Sequence, residues 1–286
     1  MPYDNKRING PDSSISYQYH SKANLKTYED KLKELFQQEN ELRIDGRQNT
    51  EARKMFLKSG VISQAKGSAY IELGNTKVIV AVYDPREIPK QNKYSALGEL
   101  FCDFKFSSFA CKKRRSPQTD AEEQSLALSM KRSLMPVVCR HEFPNFQVDI
   151  FANVIQDDGS VLGAAITCAG LALADAGIPM YDVITSTTVG IIDNKIILDP
   201  NAAEEDVCNN GFGDQEHGII VMSRLSTHDQ ISELWQSGFI HLDTLQSANK
   251  LLLETTQEIV PIIKKILVKK IVKSIKDTEQ NDENAK

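Results

Sequence analysis

FQVDIFANVIQDDGSVLGAAITCAGLALADA, residues 146–176, contains a change of period that decides the fold class. From Phe146 to Ile155 the β-branched and aromatic residues dominate, as in a strand packed on a sheet. Gly159 and Ser160 break that pattern, and Ser160–Ala176 reads as a helix lined with alanine and glycine, small enough to pack closely against a sheet. The turn between the two poses a chemical question. A helix start offers free backbone N–H groups and the positive end of the helix dipole, which together suit a phosphate. It is equally an ordinary helix start, with Ser160 as N-cap and Gly159 easing the turn. Only backbone groups and Ser160 are available locally, and Asp157 and Asp158 would repel a phosphate. A phosphate cradle here has no cation of its own.

Working outward, residues 61–85 hold two alternating, β-branched runs around Gly74-Asn75-Thr76, which predict a hairpin. Leu97–Ser107 predicts a third strand, weighted by Phe101, Phe104 and Phe106, and a helix is expected from about Asp120 to Val138. Val183–Ile192 and Lys195–Leu198 are expected to pair about Asp193-Asn194, with a further strand at Gly218–Met222. A long helix closes the chain from about Asp243 to Ser274, and Pro261 should kink it. The strands cluster first and helices are interspersed, so the expected class is α+β, with the body beginning at Gly60. Residues 1–24 are polar and aperiodic and read as a mobile tail; Thr27–Gln38 could form a short helix; residues 275–286 read as a disordered, solvated tail.

Composition narrows the function classes. The 286 residues carry a formal net charge of −5, so no global positive field advertises nucleic-acid binding and any such site must be a local patch. Five scattered cysteines, without a C-x-x-C, fit a reducing compartment and imply neither a disulfide framework nor a zinc site; Cys168 should be a buried thiol. The N-terminus is polar from the start and shows no signal peptide. The longest apolar run, around Ala164–Ala176, is too short to span a bilayer, so no membrane association is expected.

Three further stretches bear on chemistry. Asp199, Glu204, Glu205 and Asp206 could hold Mg²⁺, or could simply be a solvated loop start with acidic first-turn residues. Lys112, Lys113, Arg114 and Arg115 could contact an RNA or DNA backbone, or form a solvated loop. Asp120, Glu122 and Glu123 suit the positive end of the helix they open and make it hostile to phosphate. The five histidines are dispersed, and none has an assigned role. No metal or cofactor is expected.

Several blocks together resemble the RNase PH family: Arg43-Ile-Asp-Gly-Arg47, the run from Gly60 to Gly74, Val82-Tyr-Asp-Pro-Arg86, and Leu171–Gly177 followed by Ile178-Pro-Met. The resemblance covers Arg43 to Ser274, taken as one RNase PH-like domain behind an N-terminal region of residues 1–42. It implies the ribosomal-protein-S-five-like βαβα fold, with mixed sheets and packed helices, and six-membered rings of related chains around an RNA channel. Active members cleave RNA from its 3′ end using inorganic phosphate. They carry a Gly-Thr-Arg or Gly-Ser-Arg signature where this chain has Ser160, Val161 and Leu162, so leucine replaces the arginine. A second arginine position, near the start of the preceding helix, holds Ala121 and Glu122. Of two aspartates six residues apart, Asp199 is present and the other is Glu205. A hydrogen bond to a charged group is worth about 1.5–3 kcal/mol, and about 1.4 kcal/mol is tenfold in affinity. Loss of two arginines therefore predicts loss of useful phosphate binding.

Within the family, the basic run, the helix start EEQSLAL and the block LDPNAAEE resemble a non-catalytic ring subunit of the eukaryotic RNA exosome. That implies related ring subunits and OB-fold cap proteins as partners, RNA in the central channel, and a place in RNA processing and decay in nucleus, nucleolus and cytoplasm. Arg86, at a position near the channel in relatives, and Lys112–Arg115 are the candidate RNA contacts. The alternative is a phosphate-dependent 3′-to-5′ exoribonuclease drawing its arginines from elsewhere, such as Arg114 or Arg115.

Overall fold

Alternation on either side of Gly74-Asn75 produces the predicted hairpin, and one strand precedes it. The computed structural model places β1 at Met55–Ser59, β2 at Gly67–Leu73 and β3 at Thr76–Val82, paired antiparallel in that order. It describes Leu35 and residues 43–88, 94–193, 195–210, 216–225 and 227–284; the expected tail at 1–24, most of the helix expected at Thr27–Gln38, and Asn194 lie outside these. The body thus begins before Gly60. β1 was not legible because its burial alternates but its residue types do not: Met55, Phe56 and Leu57 are consecutive apolar residues, and Phe56 is exposed. Earlier still, Arg43 is fully buried and donates to the Leu198 carbonyl.

β4 (Arg86–Glu87), β5 (Glu99–Phe106) and β6 (Phe146–Gln156) complete the first sheet, in the order β1-β2-β3-β6-β4 with β5 on β6. Only β5–β6 is parallel. Between them lies α1 (Ala121–Leu134). Its N-cap, Asp120, forms a capping box with Glu123, whose other oxygen accepts from the Phe106 N–H at 2.9 Å. The acidic helix start therefore has the structural role expected of it.

α2 (Val161–Ala176) follows β6 directly and is buried at every position except Ala174 and Asp175. It lies between two sheets, which is why no polar face interrupts its sequence. A Cβ at Gly67 would stand 2.3 Å from the Ala176 nitrogen, and one at Gly170 would stand 2.6 Å from Cγ2 of Ile184, so glycine sets the approach on both sides.

The second sheet is antiparallel, in the order β10-β9-β7-β8: β7 (Ile184–Ile192), β8 (Lys195–Leu198), β9 (His217–Leu225) and β10 (Gln230–Phe239). One hydrophobic cluster includes residues of both sheets and α2. Two sequence expectations fail here. The acidic stretch after Asp199 is a helix, α3 (Ala202–Asn209), rather than a loop, and Asn201 caps it in a second capping box with Glu204. The closing helix, α4 (Leu242–Asn284), does not end at Ser274 but continues through residues 275–284, where a disordered tail was expected. Lys276, Glu279, Gln280 and Glu283 there are good helix formers, and extending a helix already nucleated costs little per residue even with the Asp and Asn between them. Pro261 lies inside it. None of the helices among the described residues is long and apolar enough to cross a membrane.

Candidate functional site

The turn between β6 and α2 meets the end of β8. Gly159 has φ +84°, and a Cβ there would fall 2.5 Å from the Pro200 carbonyl oxygen, so both conformation and proximity require glycine. Ser160 follows in the left-handed region at φ 56°. It holds the N-cap position, but its side chain does not cap the helix as expected; the hydroxyl donates to the Pro200 carbonyl at 3.0 Å. The Ser160 N–H donates instead to Oε1 of Glu205 at 2.7 Å. A carboxylate from α3 therefore sits where an incoming anion would meet the helix N-terminus. Burial pushes the Glu205 carboxyl up to about 7; the Ser160 hydrogen bond opposes this and the Asp157 charge adds to it.

Asp199 ends β8 in a left-handed conformation, φ 49°. Its carboxylate is held by Arg53 through two side-chain bonds, Nε to Oδ2 at 2.8 Å and an Nη to Oδ1 at 2.7 Å, and by the Arg53 backbone N–H at 3.0 Å. The same guanidinium donates to the carbonyls of Asp158 at 2.8 Å and Gly159 at 3.1 Å. Burial alone would raise the Asp199 pKa, but Arg53 holds it below the usual carboxylate range. Arg53 is itself raised: burial lowers it, and Asp199 outweighs burial. Sequence reasoning missed Arg53 because it is far away in the chain. Nothing in the local sequence announces the pairing. It is the cation the turn lacked, and its charge is already spent on Asp199.

The other candidates separate. Val161 and Leu162 are buried, and Leu162 packs into the core with no charge to offer. Glu204 is buried and caps α3. Among the described residues no group of three or more acidic, histidine or cysteine side chains could hold a metal, so the Mg²⁺ reading of Asp199, Glu204, Glu205 and Asp206 finds no cluster.

The basic run lies beside the turn. Asp157 N–H donates to the Ala110 carbonyl, and Cys111 Sγ lies 3.4 Å from Oδ2 of Asp157. Arg115 is committed: it bonds Glu122 at 2.8 Å and stacks 4.1 Å over the Phe106 ring. Glu122 thereby neutralises the nearest arginine, while Ala121 is exposed and makes no side-chain bond. Lys112, Lys113 and Arg114 are exposed and form no ion pair among the described residues. Arg86 is half-exposed and its Nε meets Oδ2 of Asp149 at 2.5 Å. It pairs with Gln147 at the start of β6, whereas Phe106, before the basic run, pairs with Val154. Seven strand residues separate the two, roughly 20–25 Å. The structure therefore does not join Arg86 and the run into one patch.

All five cysteines are free, and Cys168 is fully buried, as expected. Burial raises the thiol pKa of Cys102 to about 12 and also raises that of Cys168, which disfavours the thiolate at both.

Models of the 3′ exoribonuclease family match this chain over residues 51–179 for domain 1 and 182–243 for domain 2. It is 32% identical to the human "Exosome complex component MTR3" over 285 residues, covering 94% of this chain and 96% of that one. It is 38% identical to the Arabidopsis thaliana "Exosome complex component RRP41-like" over 229 residues, covering 79% and 84%. Among solved structures, a chain of the Archaeoglobus fulgidus exosome with RNA bound to the active site superposes with a TM-score of 0.68 at 23% identity, covering 82% of this chain and 96% of that one. Two conserved-length matches to exosome components, and a shared fold, support one conclusion: this chain belongs to the 3′ exoribonuclease, or RNase PH, family.

Proposed function

We propose that the chain is a non-catalytic subunit of an exosome core ring, which helps to form the RNA channel and supports 3′-to-5′ RNA processing and decay in nucleus, nucleolus and cytoplasm. Its relatives include chains of both the MTR3 and the RRP41 type, so membership does not decide activity and the site must. One observation carries the reading: both groups a phosphorolytic site would use are already occupied from within the chain. Glu205 takes the N–H at the α2 start, and Arg53 takes both oxygens of Asp199. An incoming phosphate meets a carboxylate where it needs a cation.

Exposed apolar groups support partner contacts. Tyr83, Phe101 and Phe151 form edge-to-face pairs on the outer side of the first sheet, with ring centroids 5.7 and 6.1 Å apart, and Ile231, Leu234 and Phe239 are exposed on the edge strand β10. Such surfaces belong in contacts between related subunits and OB-fold caps. Lys112, Lys113 and Arg114 are the available RNA contacts; Arg86 and Arg115 would first have to leave their carboxylates.

The test is release of nucleoside diphosphates from RNA by the purified chain in inorganic phosphate. No release is expected, with parent and Asp199→Ala protein alike. Release that Asp199→Ala abolishes, with the variant still folded by circular dichroism, would establish the phosphorolytic alternative. The native complex, isolated gently from its own cells, should contain several related chains at equal stoichiometry; a homo-oligomer would count against a heteromeric ring.

A further inference from the structure

Beside the Arg53–Asp199 pair, a cleft of about 810 Å³ opens between residues 48–55, the start of α2, β7 and one face of α4, with Arg53, Ser160 and Asp199 among its walls. Neither Glu205 nor any residue of Lys112–Arg115 is among its walls. Its charge is one-sided. Arg53 and Asp199 neutralise each other, which leaves Glu51, Glu254 and Glu258. Glu254 and Glu258 are exposed, stand one turn apart on α4, and have no ion pair among the described residues. Like charges four residues apart on a helix repel, so a cation between them is favoured.

A second, independent feature lies deeper. Thr188 is 3% exposed and lines the cleft, and its hydroxyl has no hydrogen-bond partner. A buried hydroxyl without a partner loses its hydration with nothing in return. The facing residue is Gly163, where a Cβ would stand 2.9 Å from that hydroxyl, so no side chain crowds it. Met55, Leu73, Leu251, Ile259 and Ile262 supply apolar wall.

We infer that this cleft binds a basic peptide segment of a partner protein, with a lysine or arginine head between Glu254 and Glu258, its aliphatic stem on the apolar wall, and a polar group reaching Thr188. A bare polyamine shares the cation and the alkyl chain, but would leave most of the apolar wall and volume unfilled. The cleft shares Arg53, Ser160 and Asp199 with the candidate functional site, but the inference invokes no RNA cleavage and adds a peptide site to the proposed ring subunit.

Fluorescence anisotropy on the full chain tests it, with a labelled peptide of alternating leucine and arginine, the same peptide with glutamine for arginine, and spermidine as competitor. Binding of the arginine peptide alone is expected, weakened about tenfold by E254Q/E258Q and several-fold by T188V. No binding, binding unchanged by E254Q/E258Q, or spermidine binding more tightly than the peptide would each overturn it. Phosphate-dependent RNA degradation by the same preparation would sink the proposed function and leave this site standing; absence of both degradation and peptide binding would sink only this site.

Discussion

At Asp199 and Arg53 two charges with little solvent exposure satisfy each other through three hydrogen bonds. Removing one partner strands the other, at about 3–5 kcal/mol, whereas replacing both with apolar residues is much less costly. Urea unfolding of Arg53→Met, Asp199→Leu and the double variant should show each single change destabilising by that amount, and the double variant by clearly less than their sum. Additive effects would mean the pair is not a coupled unit. Glu205 gives a pH signature. Its folded pKa, about 7, lies above the ordinary value of 4.5, so its protonated form favours the fold: that contribution is fully present below about pH 4.5 and is lost as pH rises through 7. Glu205→Gln removes the ionisation but keeps an acceptor for Ser160. The variant should match the parent in thermal stability at pH 5 and exceed it at pH 8. An equal difference at both pH values would show that the carboxylate bears no such burden.

Packing at the element scale explains what local pattern could and could not reveal. α2 was legible because it is buried nearly all round and needs small residues, a composition visible without knowing its neighbours. Gly67 was not legible as a contact site, since the constraint comes from α2 more than a hundred residues later. Gly67→Ala would drive a Cβ to 2.3 Å from backbone nitrogen, so the helix and β2 must separate. A loss of about 3 kcal/mol in denaturant midpoint experiments is expected. A neutral result would mean that α2 shifts freely between its sheets. β10 was missed because it is an edge strand, mostly exposed, with a register shift between Ile231 and Glu233. α3 was missed because its acidic residues read as solvent-facing, whereas Glu204 points inward to cap the helix and faces Arg43 at 3.6 Å.

For the whole molecule, net charge −5 means that an electrostatic RNA contact needs a local patch, and the proposed one, the basic run, holds three cations without an ion pair among the described residues and one paired arginine. Converting Lys112, Lys113 and Arg114 to alanine in the assembled complex should weaken RNA binding and reduce the log–log salt slope by about 2, at about 0.7 per lost phosphate contact. Arg115→Ala should change the slope little, and should instead loosen the loop over Phe106. An unchanged slope in the triple variant would remove the run from the RNA path.

Class, the order of most elements, the buried α2 and the family resemblance were determined by the sequence, because periodicity and small-residue composition are local properties that each segment carries in any context. The same holds for Leu162, which stands where the family resemblance implies an arginine and is a matter of identity at one position. Only the tertiary structure decided what surrounds the turn at Gly159 and Ser160. Arg53, Glu205 and Asp199 come from three separated segments, and electrostatic pairing between them depends on distances of a few ångströms that no spacing along the chain encodes.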